Sequence, residues 1–406
     1  MIHVIGGVYR ELCSWPQHDV LLGSAGRAAL CLSQLDRELE VTLHARIARK
    51  DEGRLFEEFA FNESCELMIS ECEETTRFDY FHPLSEPLIY PEMKQGELPE
   101  FDISSYRIER ALMFGMIEAC PKVFADVVVY DPQNTYSPVL FSDTGSRAGR
   151  LAYVVNRNEL SIFFRTAHGA TASVEEMTKW LHENERAEVT VVKCGDQGAY
   201  IFSQSVAGWV SPYKTSSVFP IGSGDSFAAA FFYFWQIKSL SVLDAGRKAS
   251  VAAAYYVSHR TMNNEDGLNV FGARVEALSA GDKVKRAYLA GPFFTLSELW
   301  MINETKSCIE SFGVEVFSPY HELGIGAADE VVKKDIEAIK ECDVLYAVFD
   351  GCDPGTLFEI GYARSLDKPV VILAQNPKAE ELKMYEGSGC HIFSDFSSSI
   401  YNLSWL

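Results

Sequence analysis

The feature that most constrains this chain is a set of short, nearly continuous apolar runs, each followed by turn residues and then by a helical pattern. Val127-Val128-Val129-Tyr130, Ala152-Tyr153-Val154-Val155 and Val189-Thr190-Val191-Val192 are of this kind. Runs this short and unbroken read as strands buried on both faces, and strand–helix alternation points to a doubly wound α/β domain around a parallel sheet. A second such series begins after Gly281: strands are expected at Arg286–Ala290, Val314–Phe317, Val344–Phe349 and Pro369–Ala374. A chain of 406 residues exceeds what one hydrophobic core usually serves, so two domains are expected, residues 1–280 and 281–406, with Gly281-Asp282 as the linker. Residues 66–107 break the pattern with charged, aromatic and proline-rich pieces, and read as an inserted lid of short strands or a long loop.

The formal net charge is −21, and both halves are acidic, which argues against binding a nucleic-acid polymer. Small anionic substrates stay open, since a local site can be positive inside an acidic protein. The ten cysteines include no C-x-x-C pair and read as reduced thiols of a cytoplasmic protein. Met1–Gly7 reads as a first strand and its turn rather than a signal peptide. No apolar run reaches the roughly 18 residues of a membrane span, so no membrane partner is expected.

In the first domain the informative stretch is Gly222-Ser223-Gly224-Asp225, followed by Ser226-Phe227-Ala228. Small residues precede a helix whose first amides suit a phosphate, or the charge that develops during phosphoryl transfer. Asp225 is placed to take a proton from an attacking hydroxyl; it is equally readable as a plain helix cap. The stretch resembles the G-A-G-D signature of the ribokinase-like (PfkB) family of sugar and nucleoside kinases, a resemblance that covers about residues 1–275. Other pieces fall in family order: Gly23 to Ala29 as the sugar-binding segment, Asp131-Pro132-Gln133-Asn134, Asn156-Arg157-Asn158-Glu159 as N-x-x-E, and Gly195-Asp196-Gln197-Gly198-Ala199 as the nucleotide-side turn.

The resemblance implies ATP and Mg²⁺ as cofactors. Gly222, Ser223, Gly224, Gly195 and Gly198 would face the nucleotide, and Asn156 and Glu159 would organise the metal indirectly. Glu11, Gly23 and Arg27 would face the acceptor, with Glu11 where the family often has a sugar-contacting Asp. Departures concentrate at the acceptor end: Arg27 replaces the usual Asn, and Phe219-Pro220 stands where Asp-Thr is usual. Arg27 reads as a surface cation, as a partner for an anionic acceptor, since a guanidinium suits carboxylate or phosphate, or as the mark of an inactive kinase kept as a ligand sensor.

In the second domain three carboxylates stand in order. Asp335 lies beside the apolar stripe of a helix, where a carboxylate is usually paired or functional. Asp353 and Glu359 follow a strand, in Asp353-Pro354-Gly355-Thr356-Leu357-Phe358-Glu359. In open α/β sheets ligands gather beyond the carboxyl ends of strands. Thr356-x-x-Glu359 also reads as a capping box, which needs no catalysis. Together with the opening Tyr288-Leu289-Ala290-Gly291-Pro292-Phe293, these residues resemble the nucleoside 2-deoxyribosyltransferase family over about residues 285–400.

The resemblance implies a flavodoxin- or Rossmann-like domain without cofactor. Glu359 would attack C1′ of a nucleoside, while Asp335 and Asp353 hold the sugar or base and protonate the leaving base. Tyr288, Gly291, Pro292, Phe293, Gly355 and Thr356 would line the substrate site. A sister group, the deoxynucleotide N-hydrolases, often has Ser at the place of Asp353, so Asp here favours a nucleoside with a free 5′-hydroxyl. The whole reads as a bifunctional salvage enzyme acting on nucleosides or pentoses. The alternative is a ligand-sensing module beside an N-glycoside hydrolase. Both resemblances imply a homo-oligomer.

Overall fold

In the computed structural model the described residues are 1–62, 64–92, 98–134, 137–279, 284–322 and 328–406. The chain forms two compact units: Met1–Tyr213 with Phe219–Ala280, and Gly281–Leu406 with the short segment Lys214–Val218. The expected linker Gly281-Asp282 lies outside the described residues.

The first unit is built on a nine-stranded sheet. Its order is Ala207–Val210, Ala199–Ser203, Val189–Lys193, Arg147–Asn156, Phe124–Asp131, Ile108–Phe114, Ile2–Ile5, Val41–Ala48 and Cys65–Cys72. All neighbours are parallel except the two pairs at the Ala207–Val210 edge. Successive side chains alternate between faces, so each unbroken apolar run feeds two cores. Val4, Val129 and Val191 pack on one face with Ala25, Phe227 and Ala249, while Ile5, Val128 and Val192 pack on the other with Leu160 and Met177. The mixed α/β class and the parallel sheet expected from the apolar runs are both present.

The region that broke the pattern divides in three, its last strand Glu100–Asp102 pairing with Cys120–Lys122. Cys65–Cys72 joins the edge of the main sheet, whereas Arg77–Tyr80 and Leu88–Tyr90 form a lid with Arg10–Cys13 and His18–Leu21, in the order His18–Leu21, Arg10–Cys13, Arg77–Tyr80, Leu88–Tyr90. The lid thus draws half its strands from the N-terminus, and so carries Glu11.

The second unit holds five parallel strands in the order Glu315–Phe317, Arg286–Ala290, Val344–Val348, Val370–Leu373, His391–Phe393. Four were expected; His391–Phe393 is short and only partly buried, and offers no apolar run to read. The order reverses between Arg286–Ala290 and Val344–Val348, which is the switch point where such sheets bind ligands. Asp350, at the end of the middle strand, accepts the Gln375 and Asn376 amides at 2.8 Å each and so ties two strand ends together. The segment Lys214–Val218 is held by Val218 donating to Ser398 Oγ (2.9 Å) and by Asn402 donating to the Thr215 carbonyl (3.1 Å). Among the described residues no helix is long and apolar enough to cross a membrane.

Candidate active sites

Glu359 lies in the second turn of the helix Pro354–Ser365. The residue that caps this helix is Asp353: its Oδ2 accepts the Thr356 amide (2.8 Å) and the Thr356 hydroxyl (3.0 Å). Pro354 at the first helical position fixes φ and lacks the amide a helix would leave orphaned, so the start is displaced three residues from the one the Thr356-x-x-Glu359 spacing suggests. Glu359 is therefore free of capping duty. Its Oε1 instead accepts the Tyr288 hydroxyl at 2.6 Å. Tyr288 is fully buried on the first strand of this unit and stacks on Phe317, with ring centres 5.6 Å apart.

Burial pushes the Glu359 carboxyl up to about 7, the Tyr288 hydrogen bond working the other way and the Asp335 and Asp353 charges adding to the rise. Asp335 Oδ1 is buried with no hydrogen-bond partner, and burial raises this carboxyl as well. The three carboxyls thus differ: one caps its helix, one accepts from a phenol, and one has a buried oxygen without a hydrogen-bond partner. Gly291, at the end of the first strand, has no room for a side chain, since a Cβ there would lie 2.6 Å from Ile302 Cδ1. Pro292 is buried, and Phe293 packs between Phe294 (5.0 Å) and Tyr320 (5.4 Å). At Gly355 a Cβ would crowd the capping Asp353 Oδ2 at 3.0 Å.

Removing the cap should show in stability before it shows in chemistry. Asp353→Ala is expected to destabilise the second unit by about 1 kcal/mol, while Asp353→Asn, a comparable cap, leaves it near wild type. Chemical denaturation of both variants checks this. A catalytic loss in Asp353→Asn at unchanged stability would then belong to the carboxylate itself.

In the first unit, Gly222 adopts φ +83° and the helix Ser223–Phe232 starts directly after it, with Asp225 in its first turn. Asp225 is buried, and its Oδ2 accepts Arg27 Nη1 at 2.8 Å. Arg27 is only 1% exposed. Nη2 donates to Glu11 Oε2, Nη1 to Glu11 Oε1 (3.2 Å) and the Gly23 carbonyl (3.2 Å), and Nε to the Tyr256 hydroxyl (2.8 Å). Arg27 is thus no surface cation, and each of its three nitrogens already donates within the protein. Gly23 needs to be glycine for a separate reason: at φ +56° a Cβ would sit 2.5 Å from the Tyr9 amide nitrogen.

Asn156 and Glu159 form a reciprocal cap on the helix Arg157–His168, the Glu159 amide donating to Asn156 Oδ1 (2.8 Å) and the Asn156 amide to Glu159 Oε2 (2.9 Å). Glu159 is buried and pushed up to about 8 by burial and by the nearby Asp131. Asp131 is fully buried; Oδ2 accepts from Lys193 and Gln133, while Oδ1 has no partner. A buried, unpartnered carboxylate oxygen beside a second carboxyl is the chemistry a hard cation takes, so Asp131 and Glu159 fit a role near Mg²⁺. Lys193 escapes a reading by motif, because it ends an apolar strand. Its Nζ would lie 3.3 Å from a Cβ at Gly224, so its ammonium reaches the Gly222–Asp225 turn. Gly195 (φ +58°) and Gly198 (φ +87°) bound a tight turn, and a Cβ at Gly198 would meet the Val210 carbonyl at 2.1 Å.

Residues 122–266 match the model of the pfkB family carbohydrate kinases, and residues 287–392 that of the nucleoside 2-deoxyribosyltransferases. A ribokinase from Thermotoga maritima superposes with a TM-score of 0.52 at 15% identity, covering 67% of this chain and 98% of that one. A putative ribokinase II from E. coli, in its apo form, gives 0.50 at 15% identity, covering 67% and 99%. At such identities the likeness shows the fold alone. A curated relative, the Uncharacterized protein UU063 of Ureaplasma parvum serovar 3, is 32% identical over 99 residues. That match takes in 21% of this chain and 63% of the relative, so the chain spans less than two thirds of its length. The chain joins a ribokinase-like unit that carries a pfkB family segment to a second parallel α/β unit that carries a nucleoside 2-deoxyribosyltransferase segment.

Proposed function

We propose that residues 281–406 cleave the N-glycosidic bond of a nucleoside with Glu359 as the nucleophile. The observation that carries this is the Glu359 carboxyl, relieved of capping by Asp353 and aimed by the Tyr288 hydroxyl. As the C1′–N bond breaks, its electron pair leaves with the base. A Glu359 oxygen bonds to C1′, and Asp335, whose carboxyl is raised by burial, passes a proton to the departing base nitrogen. Asp353 caps through Oδ2 alone, and its Oδ1 takes a sugar hydroxyl. In the second half-reaction another base (transferase) or water (hydrolase) attacks C1′ and releases Glu359. Incubating the full chain with a panel of 2′-deoxynucleosides, with and without a second free base, and identifying the products by mass tests this. Release of no base from any member sinks the reading.

A nucleophilic carboxylate must be ionised, so activity should fall as pH drops through about 7, where Glu359 titrates. The Tyr288 bond pulls that value down. Tyr288→Phe should therefore move the acid limb of the pH–rate profile to higher pH, with the plateau at high pH reduced less than the rate at pH 6. An unmoved limb would detach Tyr288 from the nucleophile.

Residues 1–280 are, in this proposal, a PfkB-type domain that binds ATP and Mg²⁺. Gly222 to Gly224 and Lys193 face the phosphates, Gly195 and Gly198 shape the nucleotide side, and Asp131 with Glu159 stands near the metal. The support is the pfkB segment together with this cluster. A homo-oligomer in the cytoplasm is part of the same proposal.

A further inference from the structure

Phosphoryl transfer to a hydroxyl is speeded by a carboxylate free to face that hydroxyl. As the acceptor oxygen bonds to the γ-phosphorus and the bond to the ADP oxygen breaks, the hydroxyl proton must go to a base. Asp225, at the turn that would hold the phosphate, is the residue placed for this. In this chain its Oδ2 is held by a guanidinium that is itself buried. The same guanidinium holds both oxygens of Glu11, the lid residue that would otherwise meet the acceptor.

Three features make the arrangement a built one. Arg27 donates through every nitrogen, to two carboxylates, a carbonyl and the Tyr256 hydroxyl. Tyr256 comes from the helix Val242–His259, so three elements besides the Arg27 helix converge on one group. The turn that would cradle phosphate is packed against it, since a Cβ at Gly222 would lie 2.1 Å from Arg27 Nε. Beside it, Phe219 and Ile221 pack with Cys13 and Tyr80, an apolar wall rather than a polyol-binding one.

We propose that Arg27 is an internal plug of the acceptor site, which holds both oxygens of Glu11 and Oδ2 of Asp225, so that the ribokinase-like unit does not transfer phosphate in this arrangement. The plug cannot be discharged by pH, because a guanidinium stays protonated throughout the range where proteins fold. It excludes neutral polyols by taking the two carboxylates their hydroxyls would use. This goes beyond the domain assignment above and is independent of the chemistry at Glu359.

The test uses the full chain with ATP, Mg²⁺ and a panel of pentoses, hexoses and nucleosides, following acceptor-dependent ADP formation by coupled assay and phosphorylated product by mass. Wild type is expected to show none above the ATP-only background. Arg27→Asn should raise acceptor-dependent ADP formation by about 100-fold over that background, the scale of a working general base, and Arg27→Asn with Asp225→Asn should abolish the gain. If Arg27→Asn does not fold, as a thermal melt would show, Glu11→Gln with Arg27→Asn removes one buried carboxylate along with the cation and takes its place. Wild-type phosphorylation that depends on Asp225 overturns the proposal. So does a folded Arg27 variant that stays inert towards every acceptor.

Discussion

Glu359→Gln should lose base release by about 1,000-fold or more, the scale on which a removed nucleophile costs an enzyme that works through a covalent intermediate. The amide keeps the volume and can still accept from Tyr288, so the fold should survive. A stability measurement separates this loss from unfolding, and its sign follows from the carboxyl's shift. A folded value of about 7 lies above the ordinary carboxyl range, so the protonated form is the one the fold favours. That contribution is fully present below the unfolded value and is lost as pH rises through about 7. Glu359→Gln should therefore be the more stable protein at pH 8 and match wild type at pH 4. A variant that is stable by this criterion yet releases base at nearly the wild-type rate would reduce Glu359 to a structural residue.

Arg27→Leu should destabilise the first unit by about 3–5 kcal/mol, because it leaves Glu11 and Asp225 buried without their cation. Urea denaturation of the full chain, followed by a probe in this unit, measures it. Adding Glu11→Gln to Arg27→Leu should recover part of the loss, since one of the two stranded charges then disappears. If both variants sit within 1 kcal/mol of wild type, the Arg27 cluster is solvated in solution and holds nothing together. The two large effects differ in kind: one removes the proposed nucleophile and spares the fold, the other removes a buried cation that holds three elements together.

Most of the scaffold was legible in the sequence because parallel strands buried on both faces are written as unbroken apolar runs. Strands with a wet face or a short span were not: Arg77–Tyr80 and Leu88–Tyr90 carry no fully buried residue, and His391–Phe393 has three residues with none deeply buried. The candidate residues can be read from the sequence as types and order, but their hydrogen-bond partners cannot. Thr356 and Glu359 have capping-box spacing, yet Pro354 shifts the helix start so that Asp353 caps, and only the fold brings Tyr288 to Glu359 across 71 positions. Arg27 illustrates the limit best. A lone arginine after a glycine-rich turn gives no hint of partners 16, 198 and 229 positions away.

Gly222 has a consequence for how this protein can change. The side chain that Gly222 lacks leaves room for the guanidinium, since any Cβ would lie within 2.4 Å of Arg27 Cδ, Nε and Cζ. While Arg27 stays, packing alone forbids drift at position 222. The Gly222–Asp225 turn is thus kept as it is by the buried guanidinium beside it. On the plug proposed above, a single exchange at position 27 would meet an intact turn, held in repair for an unrelated reason.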